Sequence, residues 1–143
     1  AAVLQVFTIK GRPSFDPLIV HVGDRGAVAR VARELPPGAE ALMDAFWPGP
    51  LTLVLPLKDN TGLSTLVTAE LPTLAIRMPA HPVAQGLLAE FGGPVAAPSA
   101  NPSGRISPTT VAHVLAGLDG RIDAVIIGRS EGEFRKVVVV ESR

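Results

Sequence analysis

The sequence predicts an α/β protein: an open, twisted sheet of mixed parallel and antiparallel strands with flanking helices. Two observations support this fold class, and a third supports a single domain. Short apolar runs of strand length alternate along the chain with stretches in which apolar residues recur at helical spacing. The 14 prolines and 14 glycines lie scattered between these runs, where they separate elements and form no low-complexity tract. The chain has 143 residues, 47% of them hydrophobic, which favours a single domain over residues 1–143.

The first half begins with a predicted helix that ends near Lys10, because Gly11 and Pro13 follow it at positions that stop a helix. The next helix is predicted over 25–35, where four apolar residues share one face: Val28, Val31, Ala32 and Leu35. Apolar runs and their flanking prolines and glycines predict the other elements: a strand at 18–22, a helix at about 39–46, and strands at 51–55 and 74–78.

The second half continues the alternation. A helix is predicted over 82–91, with an apolar stripe formed by Ala84, Leu87, Leu88 and Phe91. Ser107 and Pro108 predict the start of another helix, since serine is a good N-cap and proline suits the first helical position. The expected buried face of that helix is Val111, Val114, Leu115 and Leu118. The remaining strands are PVAA at 94–97, IDAVII and KVVVV.

Composition narrows the class of protein. Lys plus Arg and Asp plus Glu number 13 each, and the zero net charge does not favour a general nucleic-acid binder. The chain has no cysteine, which excludes disulfides and thiolate metal sites. No apolar run reaches the roughly 18–20 residues of a membrane span, and the basic-then-apolar pattern of a signal peptide is missing. We therefore expect a cytoplasmic protein without membrane association.

Three cations are candidates for an anion site. Lys10 and Arg12 lie two residues apart, just beyond a helix end and in a loop fixed by prolines. They would either stabilise the helix carboxyl terminus or bind a phosphate or carboxylate. Arg77 lies in an apolar strand that Pro79 stops two residues later. Strand alternation would place it on a solvated face, or it would clamp a carboxylate or phosphate at the strand end.

The stretch APSANPSGR, at 97–105, presents hydroxyl and amide groups. One interpretation is a turn whose Ser and Asn side chains bond their own backbone. If the backbone instead stays extended, Ser99 and Asn101 point to the same side. The helix start at Ser107 would then add N–H groups and a positive dipole end, which suit an anion.

Among the histidines, the sequence places only His21, at a strand end, in a site; His81 is assigned to a loop and His113 to a solvated helix face. The three show no metal-ligand spacing, so no protein metal site is predicted. The nucleophile elbow, the P-loop and G-x-G-x-x-G are missing as well. The segment FWPGPLTLVLP is interpreted as a rigid turn that covers the core with Phe46 and Trp47.

Four segments in order, KGRP…PLIVHV, FWPGPLTLVL, LAIRMPAHPVA and PVAAPSANPSGRISPTTVAHV, resemble the YrdC-like family of threonylcarbamoyl-AMP synthases. The resemblance covers about residues 1–128 and implies the YrdC-like fold around a positively charged cavity. It also implies a nucleotidyltransferase that joins L-threonine, bicarbonate and ATP into threonylcarbamoyl-adenylate and releases pyrophosphate. Mg²⁺ is expected on the ATP phosphates. A partner complex is expected to pass the threonylcarbamoyl group to the adenosine next to the tRNA anticodon.

The resemblance implies roles for single residues. The family's K-x-R and S-x-N tetrad falls on the expected catalytic residues Lys10, Arg12, Ser99 and Asn101. By motif match, ATP is expected to contact Arg12, Asp16, Thr73, Asn101 and Thr109. L-Threonine is expected to contact His21, Arg77 and Ser99.

Two segments depart from the family pattern. The family begins with a strand and a motif like PTeTvYGL, whereas this sequence starts within the first helix and has no tyrosine, so we expect an incomplete amino terminus. Near the other end, a motif like EST-V-V-D is replaced by IIGRSEGEFRKVVVVESR. Two other functions stay open: a non-catalytic module of the same fold that binds double-stranded RNA or tRNA, and a carbamoyl-adenylate enzyme of another pathway.

Overall fold

The computed structural model describes residues 2–127 and 137–140. It confirms the predicted fold class, an open mixed sheet with flanking helices. The chain divides into two compact units. The central unit is Phe15–Ala97, and the terminal unit combines Ala1–Ser14 with Pro98–Arg143. No helix among the described residues is long and apolar enough to cross a membrane.

The central unit is built on a four-stranded sheet with the order β2-β3-β1-β4. Its strands are β1 (Ile19–His21), β2 (Leu53–Pro56), β3 (Thr73–Arg77) and β4 (Val95–Ala96). Strands β1 and β3 are parallel, whereas β2 runs antiparallel to β3 and β4 runs antiparallel to β1. The sheet is therefore mixed, and the parallel pair has both of its carboxyl ends at one edge.

The two faces of this sheet differ in chemistry because side chains alternate along each strand. One face is the core of the central unit and carries the buried side chains Val20, Leu53, Leu55, Leu74 and Ile76. Every second residue of β3 is instead half-buried: Thr73, Ala75 and Arg77. Arg77 therefore lies on the face opposite the core, which removes the cost of burying its charge among apolar groups.

The first helical segment of the central unit is shorter than the predicted helix over 25–35. A 3-10 turn at Arg25–Ala27, capped by Asp24, leads into α2 (Val28–Val31), which is a single turn. Ala32 then becomes extended and bridges Leu57. The prediction failed because the backbone after Val31 makes hydrogen bonds next to the edge strand β2 in place of helical ones. The spacing of apolar residues does not reveal that these alternative partners exist.

The other central helices are α3 (Ala39–Phe46), α4 (Thr65–Thr68) and α5 (Pro82–Phe91). The bounds of α3 and α5 match the prediction, but α4 is a one-turn helix that the sequence did not suggest. The expected stripe of α5 is only partly correct, since Leu88 is buried while Phe91 is 66% exposed.

The turn after α3 was expected to cover the core with Phe46 and Trp47, and only one of these two aromatic residues does so. Trp47 is buried, and its indole N–H donates to the Leu51 carbonyl at 2.8 Å. Phe46 is 54% exposed, so the prediction that it also covers the core is wrong. The two residues are adjacent, and at the end of the helix their side chains leave the backbone in different directions.

The terminal unit contains α1 (Ala2–Lys10), α6 (Val111–Leu118) and an antiparallel pair, β5 (Ala124–Ile127) and β6 (Val137–Val140). Two of the four residues expected on the inner face of α6, Val114 and Leu118, are buried, whereas Leu115 is exposed. Most of the altered carboxyl-terminal motif lies outside the described residues.

The start of α6 corrects a prediction. The helix begins at Val111 and not at Ser107, because Thr110 is the N-cap: its backbone is extended and its hydroxyl accepts from the His113 N–H at 3.2 Å. A threonine placed three residues before that N–H satisfies it directly, so Ser107 and Pro108 remain in the preceding loop. The anion site expected at a helix start near Ser107 is therefore not formed there.

The corrected cap can be tested by substitution. We expect Thr110→Ala to lower the free energy of unfolding by about 1 kcal/mol, since it leaves the His113 N–H without its acceptor. Ser107→Ala is the matched control and should leave stability unchanged. Urea denaturation followed by circular dichroism measures both. The reverse result, a loss only with Ser107→Ala, would move the helix start back to the predicted position.

Candidate functional site

In the terminal unit, Lys10 is a buried anchor for the loop that follows β4. It is the last residue of α1 and is 7% exposed. Its ammonium group donates to the Ser99 carbonyl at 2.5 Å and also to the Asn101 carbonyl. The Lys10 carbonyl in turn accepts from the Ser103 N–H at 2.8 Å. Lys10 therefore ties the loop to the end of α1, which is more than a solvated cation at a helix terminus would do.

Hydrogen bonds from its amide nitrogen hold the Asn101 side chain in place, and its amide oxygen is left without a described partner. Its Nδ2 donates to the carbonyls of Pro102 at 2.9 Å and Arg105 at 2.8 Å. This fixes the orientation of the amide, because the opposite orientation would place oxygen against two carbonyl oxygens. Asn101 is 7% exposed, and its buried Oδ1 has no hydrogen-bond partner within the described ranges. Such an acceptor suits a donor group of a ligand.

The structure contains elements of both interpretations of this loop, the turn and the ligand site. The amide nitrogen of Asn101 bonds its own turn, and the amide oxygen is available to a ligand. The extended backbone, however, is not formed: the Asn101 N–H donates to the Ser99 carbonyl at 3.0 Å, which closes a γ-turn. Ser99 is exposed and Asn101 is buried. The condition for the two side chains to point to one side is therefore not met.

Arg12 and Thr109 are the other predicted site residues of the terminal unit. Arg12 is half-buried, and its backbone N–H donates to the Phe7 carbonyl at 2.9 Å, which closes the end of α1. Thr109 is exposed, with its hydroxyl 3.3 Å from Nδ1 of His113. His113 is exposed as predicted, but this contact means that it adjoins a candidate site residue.

In the central unit, a row of polar side chains crosses the sheet on the face opposite the core. His21 and Arg77 are register partners at the ends of the parallel strands β1 and β3, so neighbouring strands hold them about 4.8 Å apart along the sheet. On the other side of Arg77, the Thr52 hydroxyl accepts from Arg77 Nε at 2.8 Å. We call these three residues, Thr52, Arg77 and His21, the polar row. Carboxyl ends of parallel strands are where α/β sheets bind ligands.

Thr73 lies on the same face as Arg77, at the opposite end of β3 and therefore about 13 Å away. Asp16 is half-buried in the segment that precedes β1. Neither residue is a register neighbour of Arg77, so β3 separates the residue expected to contact ATP from the one expected to contact L-threonine.

The predicted site residues thus form two groups. Lys10, Ser99 and Asn101 are in direct contact through backbone carbonyls in the terminal unit, and His21 and Arg77 are neighbours in the central unit. Sequence reasoning missed Thr52, because the segment around it was interpreted as a rigid turn followed by a strand, with no side chain in a site. The antiparallel register of β2 and β3, in which Leu53 faces Ile76, brings Thr52 opposite Arg77. That register cannot be deduced from alternation alone.

A cavity of about 480 Å³ in the central unit contains none of these residues. In its lining, Arg25 contacts Asp44 at 2.6 Å, and the Lys58 ammonium group donates to the Ala29 carbonyl at 3.2 Å. Because none of the predicted site residues lines it, this cavity is not part of the candidate site.

The loop around Asn101 rests on a glycine of α6. A Cβ added to Gly117 would lie 2.7 Å from Pro102 Cδ and 3.1 Å from Cγ. The proline ring is rigid, so either the loop or the helix would have to move. Small size at position 117 therefore maintains the packing of the residue next to Asn101.

We expect Gly117→Ala to be less stable than a matched helical control. Gly86 of α5 has open space where a Cβ would be, so Gly86→Ala should raise the free energy of unfolding by up to about 1 kcal/mol. Gly117→Ala gains the same helix propensity but meets the proline, so its unfolding free energy should be lower than that of Gly86→Ala by about 2 kcal/mol. Chemical denaturation measures the difference; equal gains would show that the loop does not rest on Gly117.

Comparison with known proteins places this chain in a family. The family Sua5_yciO_yrdC, described as "Telomere recombination", matches residues 1–141. The threonylcarbamoyl-AMP synthase of Bacillus subtilis is 50% identical over 131 residues, which is 92% of this chain and 38% of the relative. The chain therefore spans little more than a third of the length of that relative.

Solved structures agree with the sequence comparison. Sua5 of Pyrococcus abyssi, in a crystal structure with L-threonine, has a TM-score of 0.81 and 45% identity, and the match covers 85% of this chain and 35% of that one. HypF, in a phosphate- and nucleotide-bound form, has a TM-score of 0.70 over 88% of this chain and 21% of its own. At 20% identity HypF shows a shared fold only. Because the family match spans nearly the whole sequence, this chain belongs to the Sua5/YciO/YrdC family.

Proposed function

We propose that this chain forms L-threonylcarbamoyladenylate from L-threonine, bicarbonate and ATP, as a threonylcarbamoyl-AMP synthase does. The relative from Bacillus subtilis carries that name and is 50% identical over 92% of this chain. The chain spans 38% of the length of that relative. The proposal therefore concerns only what residues 1–143 contribute to the reaction. We further propose that residues 1–143 represent one YrdC-like domain, which the family match over residues 1–141 supports.

The observation that carries the proposal is the buried tie between Lys10 and the backbone of Ser99 and Asn101. Residues far apart in the sequence, which resemblance alone grouped into one tetrad, are in contact in the structure. The tie supplies a buried positive charge, and Asn101 Oδ1 supplies an acceptor without a described partner. A charge held in a fixed position costs no reorganisation when negative charge develops beside it, which is the main way in which enzymes stabilise charged transition states.

We assign the nucleotide to Arg12, Asp16, Thr73, Asn101 and Thr109, and L-threonine to His21, Arg77 and Ser99. The polar row supports the second assignment, since a guanidinium at a strand end suits the carboxylate of an amino acid. The crystal structure of Pyrococcus abyssi Sua5 with L-threonine supports the substrate class. Asn101 Oδ1 is an acceptor, so it would face a hydroxyl or amine of the substrates and not a phosphate oxygen.

The reaction needs two bond-forming steps. The amine of L-threonine forms a C–N bond with the carbon of bicarbonate, with loss of water, and gives a carbamate. A carbamate oxygen then forms a bond to the α-phosphorus of ATP, and the bond to pyrophosphate breaks. Both steps bring anions together, so positioning and charge neutralisation by Lys10, Arg12 and Arg77 would provide most of the catalysis. No covalent protein nucleophile is required.

Mg²⁺ would neutralise charge on the ATP phosphates and would be bound mainly by those phosphates and water. Within residues 2–127 and 137–140 there is no group of three or more His, Cys, Asp or Glu side chains that could hold a metal ion. We therefore assign no protein ligand to it.

The product would be used to modify tRNA: a partner complex would transfer the threonylcarbamoyl group to the adenosine next to the anticodon. The cytoplasmic location, where these substrates occur, is part of the same proposal. A non-catalytic RNA-binding module is not favoured, since the relatives at 38–50% identity are named as synthases. A carbamoyl-adenylate enzyme of another pathway is not favoured either, for the same reason.

The test is pyrophosphate release. The protein is incubated with ATP, bicarbonate and Mg²⁺, with and without L-threonine. We expect release that depends on L-threonine and bicarbonate, and a new adenylate detected by mass spectrometry. Binding of ATP and L-threonine without release would show that these residues hold the substrates but need the rest of a longer protein. Failure to bind either substrate would overturn the site assignment.

A further inference from the structure

Thr52 is the member of the polar row that no resemblance pointed to, and it contacts Arg77 directly. The antiparallel register pairs Leu53 with Ile76, and continued by one residue it places Thr52 opposite Arg77. The Thr52 hydroxyl accepts from Arg77 Nε at 2.8 Å, and the contact is part-buried. Among the residues that the structure describes, this is the hydrogen bond that holds the Arg77 side chain.

The atom that Thr52 holds determines how Arg77 can bind. A guanidinium offers five N–H donors in a fixed plane, and a carboxylate can pair with it side-on, through Nε and one Nη, or end-on, through both Nη groups. The threonine hydroxyl occupies Nε and therefore excludes the side-on pairing. It also fixes the plane of a side chain that would otherwise lose rotamer freedom on binding.

We propose that Thr52 is a positioning residue for Arg77, and that it directs both Nη groups end-on at the carboxylate of the amino-acid substrate. The proposal rests on the proposed function, since it takes L-threonine as the ligand of Arg77. Thr52 itself does not touch the substrate. It acts by reducing the number of orientations available to the guanidinium before the ligand arrives.

The first test uses a nearly isosteric change. Thr52→Val removes the hydroxyl and keeps the shape of the side chain, and we expect the Kd for L-threonine to rise about tenfold, as for loss of one hydrogen bond to a charged group. The Kd for ATP should not change. Thr52→Ser keeps the hydroxyl and should restore L-threonine binding. Titration calorimetry measures both ligands; an equal loss of ATP binding, or no rescue by serine, would mean that Thr52 has only a structural role.

The matched control is Thr68→Val in the same unit. Thr68 is buried, and its hydroxyl donates to the Thr65 carbonyl at 3.3 Å. Like Thr52→Val, Thr68→Val removes a hydroxyl that makes a hydrogen bond. Unlike Thr52→Val, it removes no contact of Arg77. We expect L-threonine binding to be unchanged in this control. A tenfold loss there as well would attribute the effect to general destabilisation and overturn the proposal.

A second readout separates failure of this inference from failure of the proposed function. The Arg77 Nε–H gives a side-chain signal in a ¹⁵N–¹H correlation spectrum, identified by its loss in Arg77→Lys. We expect slow exchange of this proton with solvent in the wild type and in Thr52→Ser, and fast exchange in Thr52→Val. If the wild type does not bind L-threonine, the proposed function fails. The exchange rates still show whether the Thr52 hydroxyl accepts from Arg77 Nε. Fast exchange in the wild type would overturn the positioning role whatever the protein binds.

Discussion

Lys10→Met is expected to lower threonine-dependent pyrophosphate release by at least about 100-fold, the loss that a small misplacement of catalytic groups can cause. Methionine fills similar space but cannot donate to the carbonyls of Ser99 and Asn101, which Lys10 holds. The loop would lose its anchor to α1, and the site would lose a buried positive charge. The activity assay gives the loss directly, and urea denaturation shows how much of the variant is folded.

Lys58→Met is the matched control for this change. Lys58 also donates to a backbone carbonyl, that of Ala29 at 3.2 Å, but it is exposed and lies in the central unit outside the polar row. We expect wild-type activity from this variant. If folded Lys10→Met protein retains most of its activity, the buried tie is structural only, and the observation on which the proposed function rests would be lost.

The second large effect is expected from Gly49→Ala, which should lower the free energy of unfolding by about 3 kcal/mol. A Cβ at this buried position would clash with the Phe46 carbonyl oxygen, an atom of the backbone that no side-chain rotation can move away. The Gly49 N–H also donates to the Met78 carbonyl at 2.8 Å. Opening the turn would therefore disturb the residue that follows Arg77, and L-threonine binding should weaken in the fraction that still folds.

Gly93→Ala provides the comparison for a glycine outside a helix. Its nearest neighbours would be Phe91 ring atoms at 3.4 and 3.6 Å, which is ordinary van der Waals contact. We expect a change in unfolding free energy of no more than about 1 kcal/mol, in the stabilising direction. The transition midpoint in urea measures both variants. A stable Gly49→Ala protein would contradict the close approach of the turn to Phe46.

Local sequence predicted those elements whose boundaries have a local cause. The end of α1 follows from Gly11, which has a φ of 60° that glycine adopts readily. The start of α5 follows from Pro82 next to the N-cap His81, and its end follows from Gly92. The early end of α2 has a non-local cause, because Ala32 pairs with Leu57.

For the site, the motifs predicted a set of residues, but their spacing did not reveal the contacts that these residues make. Sequence spacing left Lys10 as either a helix-terminal cation or an anion binder, and the structure shows a buried anchor that bonds two carbonyls of the loop. For Asn101 the sequence left open a side chain that bonds its own turn and one that faces a ligand, and the structure shows that the amide nitrogen bonds the turn while the amide oxygen has no described partner. Hydrogen-bond partners more than eighty positions away in the chain cannot be read from spacing.

By itself, the sequence determined the fold class and the family and predicted a set of site residues, because apolar periodicity, helix stops and ordered motifs depend on the local order of residues. Only the tertiary structure decided which of those residues touch, which face of the sheet carries Arg77, and that Thr52 holds it. These depend on strand register and on the burial of polar groups. Register is fixed by the summed packing and hydrogen bonding of whole strands, and a shift of one residue would turn Arg77 towards the core.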